Sequence, residues 1–231
     1  MIRLRVASYN VHQCVGLDGR RDAARVAAVL REIDADFVGL QEVDARPGGD
    51  ATSMQMHYLA DALGLHAVAG PTIVRPGGHY GNALLSRRAA REVRHIDLTV
   101  YRREPRAAID ADFDVDGDAA RVRVLVTHLG LLPGERRTQV RRLLDALGAE
   151  PEAITVVCGD INEWFGVGRP LRWLHARLGR TRGVPTFPAG FPLFALDRLW
   201  VHPRAALRRL RVHRTSAASD HLPLVADLEI A

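Results

Sequence analysis

The sequence contains no lysine, and all 32 of its basic side chains are arginines. This usage is typical of a genome-wide codon bias, so the formal net charge of +5 gives little support for nucleic-acid binding. The two cysteines, Cys14 and Cys158, suit a reducing compartment and form no metal-ligand pattern. No apolar run is long enough to span a membrane, and no signal-peptide core is present. A cytoplasmic protein without an integral membrane segment is therefore expected.

The length and composition indicate an ordinary globular protein. A chain of 231 residues with 47% hydrophobic and 26% charged residues can bury one sizeable core, so residues 1–231 are predicted to form a single domain and a monomer. The charge is unevenly distributed. Asp197 is the only acidic residue between Trp164 and Ser219, whereas eleven arginines lie between Arg169 and Arg214. This basic part of the chain would attract an anionic substrate.

Polar residues follow short apolar runs at several points of the chain. The run from Ile154 to Cys158 predicts a buried strand, which Gly159 ends and which Asp160 and Asn162 follow. Residues two apart in an extended chain point the same way, so these two side chains would project together. An Asx-rich turn that caps its own backbone is the alternative. The same strand-end position is predicted for a further set of polar residues: Asn10, Glu42, His128, Asp197, Asp220 and His221.

Helical periodicity separates these strands in four places. It predicts one helix that begins at Asp22, a second from Asp50 to Leu63, a third that stops at Gly148 and a fourth from Pro170 to Leu178. The following loop, residues 180–195, is rich in Pro, Phe and Arg and is expected to shape the mouth of a pocket.

Asp112, Asp114 and Asp116 match the opening of a calcium-binding EF-hand loop, but its twelfth position is Arg123 instead of glutamate. The sequence favours a β-hairpin that turns at Asp116 and Gly117. In that hairpin Asp112 would face Arg121, and Asp110 would face Arg123.

The order and local context of these residues resemble the endonuclease/exonuclease/phosphatase superfamily over nearly the whole chain. Eight motifs carry the resemblance: SYNV at Ser8–Val11, LQEVD at Leu40–Asp44, GNALLSR at Gly81–Arg87, EPRAAI at Glu104–Ile109, THLGL at Thr127–Leu131, GDINE at Gly159–Glu163, LDRLWV at Leu196–Val201 and SDHLPL at Ser219–Leu224. The resemblance implies an α/β fold, a four-layer sandwich in which two mixed β-sheets pack face to face with helices outside. The site would lie at one end of the sandwich.

The resemblance also implies a metal-dependent phosphoesterase and assigns roles to individual residues. Mg²⁺, or Mn²⁺ in its place, would be bound by Glu42, with Asn10 and Asp220 nearby. Asp160 would orient or deprotonate the attacking water, and His221 would be held by Asp197. The substrate phosphate would be contacted by three side chains: Arg106, His128 and Asn162.

The substrate is expected to be a phosphate ester of a small molecule or lipid headgroup. A nuclease of the same superfamily is the alternative, and a catalytically inactive phosphate-binding module is the alternative outside the enzymes. Many abasic-site nucleases of the superfamily have an aspartate two residues after the asparagine, where this chain has His12, which disfavours the nuclease. Fold-level kinship alone does not identify the substrate.

Overall fold

The computed structural model describes residues 1–46, 51–115, 120–148, 154–214 and 218–230. Over these residues the chain forms eleven β-strands: β1 (Ile2–Asn10), β2 (Phe37–Ala45), β3 (His66–Arg75), β4 (Gly78–Ser86), β5 (Glu92–Asp97), β6 (Ala107–Val115), β7 (Ala120–His128), β8 (Ile154–Asp160), β9 (Asp197–His202), β10 (Leu207–Val212) and β11 (Leu224–Ile230). Four α-helices accompany them: α1 (Ala23–Ile33), α2 (Gln55–Leu63), α3 (Pro133–Leu147) and α4 (Arg169–Leu178). Short 3₁₀ turns lie at His12–Cys14, Ala51–Ser53 and Arg204–Ala206.

The strands form two mixed sheets. The six-stranded sheet has the order β10-β11-β1-β2-β4-β3, and the five-stranded sheet has the order β5-β6-β7-β8-β9. Each sheet contains one parallel pair, β1 with β2 and β7 with β8, and its other neighbours are antiparallel. The parallel pairs are joined through α1 and α3, because parallel neighbours need a crossover connection. Each pair therefore delivers two strand ends to the same edge of its sheet.

The two sheets pack face to face, and the helices cover their outer surfaces. Phe37 and Leu84 of the first sheet meet Phe113 and Val126 of the second in a buried cluster between the sheets. Residues of α1 and α2 cover the six-stranded sheet, and residues of α3 and α4 cover the five-stranded sheet. This is the four-layer α/β sandwich that the family resemblance implied.

The helix ends follow the chemistry of their flanking residues. The Asp22 carboxylate caps α1 by accepting from the backbone N–H groups of Ala24 (2.9 Å) and Arg25 (3.2 Å). Gly64 ends α2 in the left-handed conformation, as predicted. The start of α2 differs from the prediction. The α-helix begins at Gln55, with a 3₁₀ turn before it, and Asp50 lies outside the described residues.

The predicted hairpin forms from β6 and β7, but its predicted register is wrong by two residues. Asp112 pairs with Arg123 and Asp114 with Arg121, instead of Asp112 with Arg121. Val115 and Ala120 are the last described pair, so four residues separate the strands, where a two-residue turn was expected. The predicted turn at Asp116 and Gly117 lies outside the described residues.

An ion-pair cluster ties the edge strand β5 to the hairpin. The carboxylate of Asp110, which is almost fully buried, accepts from Nε and Nη2 of Arg123 (2.8 and 2.7 Å) and from Nε of Arg94 (3.0 Å). Burial opposes the charge of this carboxylate, but the hydrogen bonds and positive charges of Arg123 and Arg94 outweigh that effect and lower its pKa. Asp110 therefore holds three neighbouring strands together.

Both cysteines are free and buried, as expected for core residues. Among the described residues, no helix combines the length and the apolar character that a membrane crossing requires.

Replacing Asp110 with alanine should destabilise the fold strongly, because it leaves two facing arginines without their shared carboxylate. Breaking a buried pair costs roughly 3–5 kcal/mol, and the partial exposure of both arginines favours the lower end, about 3 kcal/mol. The free energy of unfolding from urea titration measures this loss. The control is Asp114→Ala, whose arginine partners are more exposed and which should cost about 1 kcal/mol or less. Equal losses in the two variants would contradict the buried role of Asp110.

Candidate functional site

Three polar side chains form a row across neighbouring strands at one end of the five-stranded sheet. His128 is the last residue of β7 and pairs with Asp160, the last residue of β8. Asp160 in turn pairs with Asp197, the first residue of β9. Residues paired in register lie side by side on one face of a sheet. The strand register alone therefore brings two carboxylates and an imidazole together.

Gly159 allows the chain to form this row. It has a φ of 145°, and a Cβ at this position would lie 1.8 Å from the carbonyl oxygen of Thr127 on β7. Because that space is filled by backbone, no other residue fits without moving the strands. The close approach fixes Asp160 against its neighbour strand.

Asn10 connects this row to the other sheet. Its side-chain Nδ2 donates to Glu42 Oε1 (3.0 Å) and to Asp160 Oδ2 (3.1 Å), and its Oδ1 accepts from the backbone N–H of His12 (3.0 Å). One amide group thus holds a carboxylate from each sheet. The predicted role of Asn10 as a metal ligand stays a prediction, since its nitrogen faces both carboxylates in this structure.

Glu42 lies on an irregularity of β2. The pairing of β2 with β4 shifts between Leu40 and Val43, and Glu42 has a left-handed φ of 59°. A non-glycine residue in this region is strained, and such strain clusters at functional sites. Tyr80 of β4 lies beside Glu42, and burial together with the Glu42 charge raises the pKa of its hydroxyl. The bulge turns the Glu42 carboxylate toward Asn10.

His221 reaches the row from the loop before β11. Its Nδ1 lies 2.8 Å from Asp197 Oδ2, and its Nε2 lies 3.8 Å from Asp160 Oδ2. The loop is held by the Ser219 hydroxyl, which donates to the carbonyl oxygen of Asn10 (2.8 Å). Thr186 Oγ1 also donates to Asp197 Oδ2, at 2.5 Å. His221 and Asp197 therefore form the hydrogen-bonded pair that the sequence predicted.

The charges of the site shift two of its pKa values upward. Burial disfavours the charged form of His221, but the carboxylates of Asp197, Asp160 and Asp220 outweigh it and raise the pKa of His221 to about 10. Burial and the negative charge of Asp197 raise the pKa of Asp160 to about 6, against the opposing effects of His221 and the hydrogen bonds from Asn162 and Asn10. At neutral pH His221 is an imidazolium between two carboxylates.

His128 is neutral by contrast. Burial, then the positive charges of Arg106 and His221, hold its pKa well below the ordinary value. Arg106 Nη1 lies 3.0 Å from His128 Nδ1, and because a guanidinium only donates, Nδ1 accepts and Nε2 carries the proton. Asn162 Nδ2 lies 3.1 Å from that Nε2 and donates to the carbonyl oxygen of Leu129 (2.9 Å). These three residues form one contact cluster beside Asp160.

Asp220 lies on the solvent side of the site. Its Oδ1 lies 3.3 Å from Ser219 Oγ and 3.6 Å from His12 Nδ1. His12 therefore lies next to Asp220 and near Asn10. It is the residue that stands where the abasic-site nuclease pattern has an aspartate. All nine predicted site residues lie at the same end of the sandwich. Glu42 departs from its predicted strand-end position, because β2 continues past it to Ala45.

The residues of this site fit a divalent cation. Donor atoms of Asp160, Asp197 and His221 lie within 4.8 Å of one another, but Asp197 Oδ2 and His221 Nδ1 are hydrogen-bonded to each other. Glu42 and Asp160, joined through Asn10, leave an excess of negative charge and hard oxygen donors between the two sheets. Mg²⁺ prefers such oxygen donors and takes only one or two protein carboxylates. The fit is thus better at Glu42 than at the His–Asp pair.

Sequence reasoning missed several residues that border the site. Tyr80 contacts Glu42, and Thr186 contacts Asp197. Neither residue follows a strand end or belongs to a polar motif. Phe187 packs against His221 with 4.8 Å between ring centroids, and Trp164 packs against Phe187 at 5.9 Å. These rings come from the Pro- and Phe-rich loop and from the segment after β8. The loop does border the site, as expected.

Comparisons with known proteins find similarity over nearly the whole chain. The model of the Endonuclease/Exonuclease/phosphatase family matches residues 7–221. The uncharacterized protein YbhP of Escherichia coli K12 is 29% identical over 243 residues, which cover 98% of this chain and 96% of that protein.

Solved structures with a similar fold include two bacterial proteins. An endonuclease/exonuclease/phosphatase from Beutenbergia cavernae has a TM-score of 0.84 at 24% identity and covers 100% of this chain and 72% of its own. A mannosyl-6-phosphatase of Bacteroides thetaiotaomicron has a TM-score of 0.74 at 18% identity and covers 98% of this chain and 100% of its own. At these identities the likeness shows the fold.

Replacing Asp197 with asparagine should lower the pKa of His221, because it removes the charge that does most to offset burial. We expect a fall of roughly 1–3 pH units, read from the imidazole ¹⁵N shifts of His221 in an NMR titration. The matched control is Asp220→Asn, which removes the weakest of the three carboxylate contributions and should lower the pKa less. A His221 pKa that stays near 10 in Asp197→Asn would show that the pair is not electrostatically coupled.

Proposed function

The chain belongs to the endonuclease/exonuclease/phosphatase family, and on that premise we propose that it is a Mg²⁺-dependent hydrolase of phosphate esters. One observation carries the proposal. Asp197, which is hydrogen-bonded to His221, pairs in register with Asp160, and Asn10 joins Asp160 to Glu42 on the opposite sheet. Phosphate-ester hydrolysis requires an oriented water, positive charge near the phosphoryl oxygens and a cation on the phosphate. This arrangement supplies residues for each requirement.

Asp160 is proposed to orient and deprotonate the attacking water. Burial and the negative charge of Asp197 raise its pKa above the ordinary carboxylate value, which makes it a better proton acceptor. The hydrogen bonds from Asn162 N–H (2.9 Å) and Asn10 hold the carboxylate in one orientation. The water oxygen would bond to phosphorus, its proton would pass to Asp160, and the bond between phosphorus and the leaving oxygen would break.

His221, His128, Asn162 and Arg106 are proposed to bind the phosphoryl group. The imidazolium of His221 carries a full positive charge in a buried setting, where it stabilises charge that develops on the phosphoryl oxygens. Neutral His128 presents its Nε2–H as a further donor, because Arg106 occupies its Nδ1. Arg106 adds a second cation, and one of its side-chain nitrogens, Nε, is buried without a partner among the described residues.

Mg²⁺ is proposed to be held by Glu42, with Asn10 and Asp220 as further ligands. When bound, it would neutralise charge on the substrate phosphate and orient it toward the water. The protein's own contribution is to fix the ligand direction, through the bulge at Glu42 and the hydrogen bond from Asn10.

The substrate is proposed to be a small or lipid-linked phosphate ester. The mannosyl-6-phosphatase among the neighbours acts, by its description, on a small phosphate ester. Trp164, Phe187 and Phe194 form an aromatic rim directly beside His221, which suits an apolar or ring-shaped leaving group. His12 replaces the aspartate of the abasic-site nuclease pattern. A nuclease of the same family is the alternative that the experiments below distinguish.

Chelation of divalent cations should abolish the activity, and added Mg²⁺ or Mn²⁺ should restore it. With p-nitrophenyl phosphate and bis-p-nitrophenyl phosphate as substrates, Glu42→Gln should lower kcat by roughly 100-fold or more, because it removes the charge that binds the cation. Glu32→Gln, on the exposed face of α1, is the matched control. Far-UV circular dichroism checks that both variants fold. Full turnover after exhaustive chelation would overturn the metal requirement.

Small phosphate esters should be turned over better than duplex DNA at physiological salt. Tight duplex binding through about 6–10 phosphate contacts would need a long basic face and would give a steep salt dependence. A side-by-side assay with matched metal compares kcat/KM for sugar phosphates, lysophospholipids, plasmid DNA and abasic-site DNA. The nuclease would be established instead by two results together. Duplex DNA would have the highest kcat/KM, and Arg172→Ala or Arg177→Ala on α4 would weaken the dependence of that kcat/KM on salt concentration.

A further inference from the structure

A second cleft, of about 720 Å³, lies beside the site, between the end of α4, the following loop and β9. Four arginines line it: Arg180, Arg182, Arg198 and Arg204. We call it the arginine cleft. Among the described residues that line it, none is an aspartate or glutamate. Its electrostatic potential is therefore strongly positive.

Arg198 is the buried arginine of this cleft, with 8% of its surface exposed. Within the described part of the chain, no carboxylate lies within 4.0 Å of its guanidinium, and its Nε has no hydrogen-bond partner. Other buried arginines do have partners: Arg136 pairs with Glu163, and Arg106 contacts Glu104 and His128. Buried charges in proteins are normally paired, so the isolation of Arg198 requires an explanation.

Neither of the two acidic groups that attract Arg198 forms an ion pair with it. Asp197 precedes Arg198 on β9, where successive side chains point to opposite faces, and its Oδ2 is bound by His221 and Thr186. Glu163 Oε2 is bound by Arg136. Burial lowers the pKa of Arg198, against the attraction of Asp197 and Glu163. The two carboxylates therefore attract Arg198 from a distance, and among the described residues none forms a close ion pair with it.

The surroundings of Arg198 suit an oxyanion. The hydroxyl of Thr181 is buried at the cleft and has no hydrogen-bond partner among the described residues. Gly183 covers the guanidinium so closely that a Cβ there would lie 2.2 Å from Arg198 Nη1. A guanidinium and a hydroxyl are both donors, and the planar fork of arginine matches two oxygens of a phosphate or carboxylate.

The arginine cleft is adjacent to the catalytic residues. Trp164 and Phe194 line the cleft, and they pack on each other with 4.9 Å between ring centroids. Trp164 also contacts Phe187, which packs against His221. The aromatic rim therefore lies between the arginine cleft and His221, and a ligand that crosses the rim would contact both regions.

We propose that the arginine cleft binds a second anionic group of the substrate, a phosphate or carboxylate that is not hydrolysed, with Arg198 as its central ligand. This inference rests on the proposed function and narrows it to substrates that carry two anionic groups. The phosphate that is cleaved would lie at His221 and Asp160. The other anion would supply the partner that Arg198 and Thr181 lack.

The first experiment tests the cleft without catalysis. The Nε–Hε NMR signal of Arg198, assigned by its loss in Arg198→Met, is titrated with inorganic phosphate in wild type and in His221→Ala. A saturable shift in both proteins is expected, weakened roughly tenfold in Arg180→Gln/Arg182→Gln, because hydrogen bonds to charged groups contribute about 1.5–3 kcal/mol. Arg31→Gln on α1 is the control and should leave the titration unchanged. No shift in wild type would overturn the anion site.

The second experiment tests the substrate. We compare kcat/KM for sugar and polyol bisphosphates of different spacing with their monophosphates, and expect roughly tenfold or greater preference for at least one bisphosphate. Two variants should reduce this ratio toward one: Arg198→Met, which removes the charge, and Gly183→Ala, which keeps the charge but displaces the guanidinium. The control Arg31→Gln should leave the ratio unchanged. A ratio near one in wild type, or one that is unchanged in both variants, would overturn the proposal. If wild type hydrolyses no phosphate ester at all, the proposed function fails, and the phosphate titration still decides whether the cleft binds an anion.

Discussion

The arrangement of the site depends on one buried oxygen, Oδ2 of Asp197. It accepts a hydrogen bond from Thr186 in the Pro- and Phe-rich loop and lies 2.8 Å from the imidazole of His221 in the loop before β11. Two segments that are distant in sequence therefore converge on the first residue of β9. The same charge keeps His221 protonated in a setting where burial alone would make it neutral. The Asp197 carboxylate thus both positions the two loops at this end of the sandwich and sets the charge of His221.

The strand-end residues could be predicted from the sequence because strand registers are local and repetitive. An apolar run ends where its polar residues begin, and a parallel pair aligns such ends at one edge of its sheet, so the pairing of His128 with Asp160 follows from the predicted strands. The contact of Asn10 with Asp160 depends instead on how the two sheets pack. The order of the family motifs then predicted the face-to-face packing of two sheets. Hydrophobic periodicity alone would not have selected this fold. The roles of these residues remain predictions, since positions alone do not establish which group moves a proton.

Other features could not be read from the sequence, for identifiable physical reasons. The β6–β7 register was wrong by two residues because a shift of two leaves every side chain on the same face, so the hydrophobic pattern cannot detect it. Strand β5 was missed because its side chains are mostly exposed and it is held at the sheet edge by ion pairs of Arg94 instead of apolar alternation. The isolation of Arg198 depends on where Asp197 and Glu163 find partners, which only the folded chain determines.

The left-handed backbone at Glu42 has a consequence for how the protein could change over time. A non-glycine residue in this conformation costs about 1–3 kcal/mol, whereas glycine adopts it freely. Selection for thermal stability alone would therefore favour glycine at position 42 and would remove the carboxylate with it. Under the proposed role of Glu42 in binding the cation, its carboxylate comes at the expense of stability, and stabilising substitutions should leave this residue untouched.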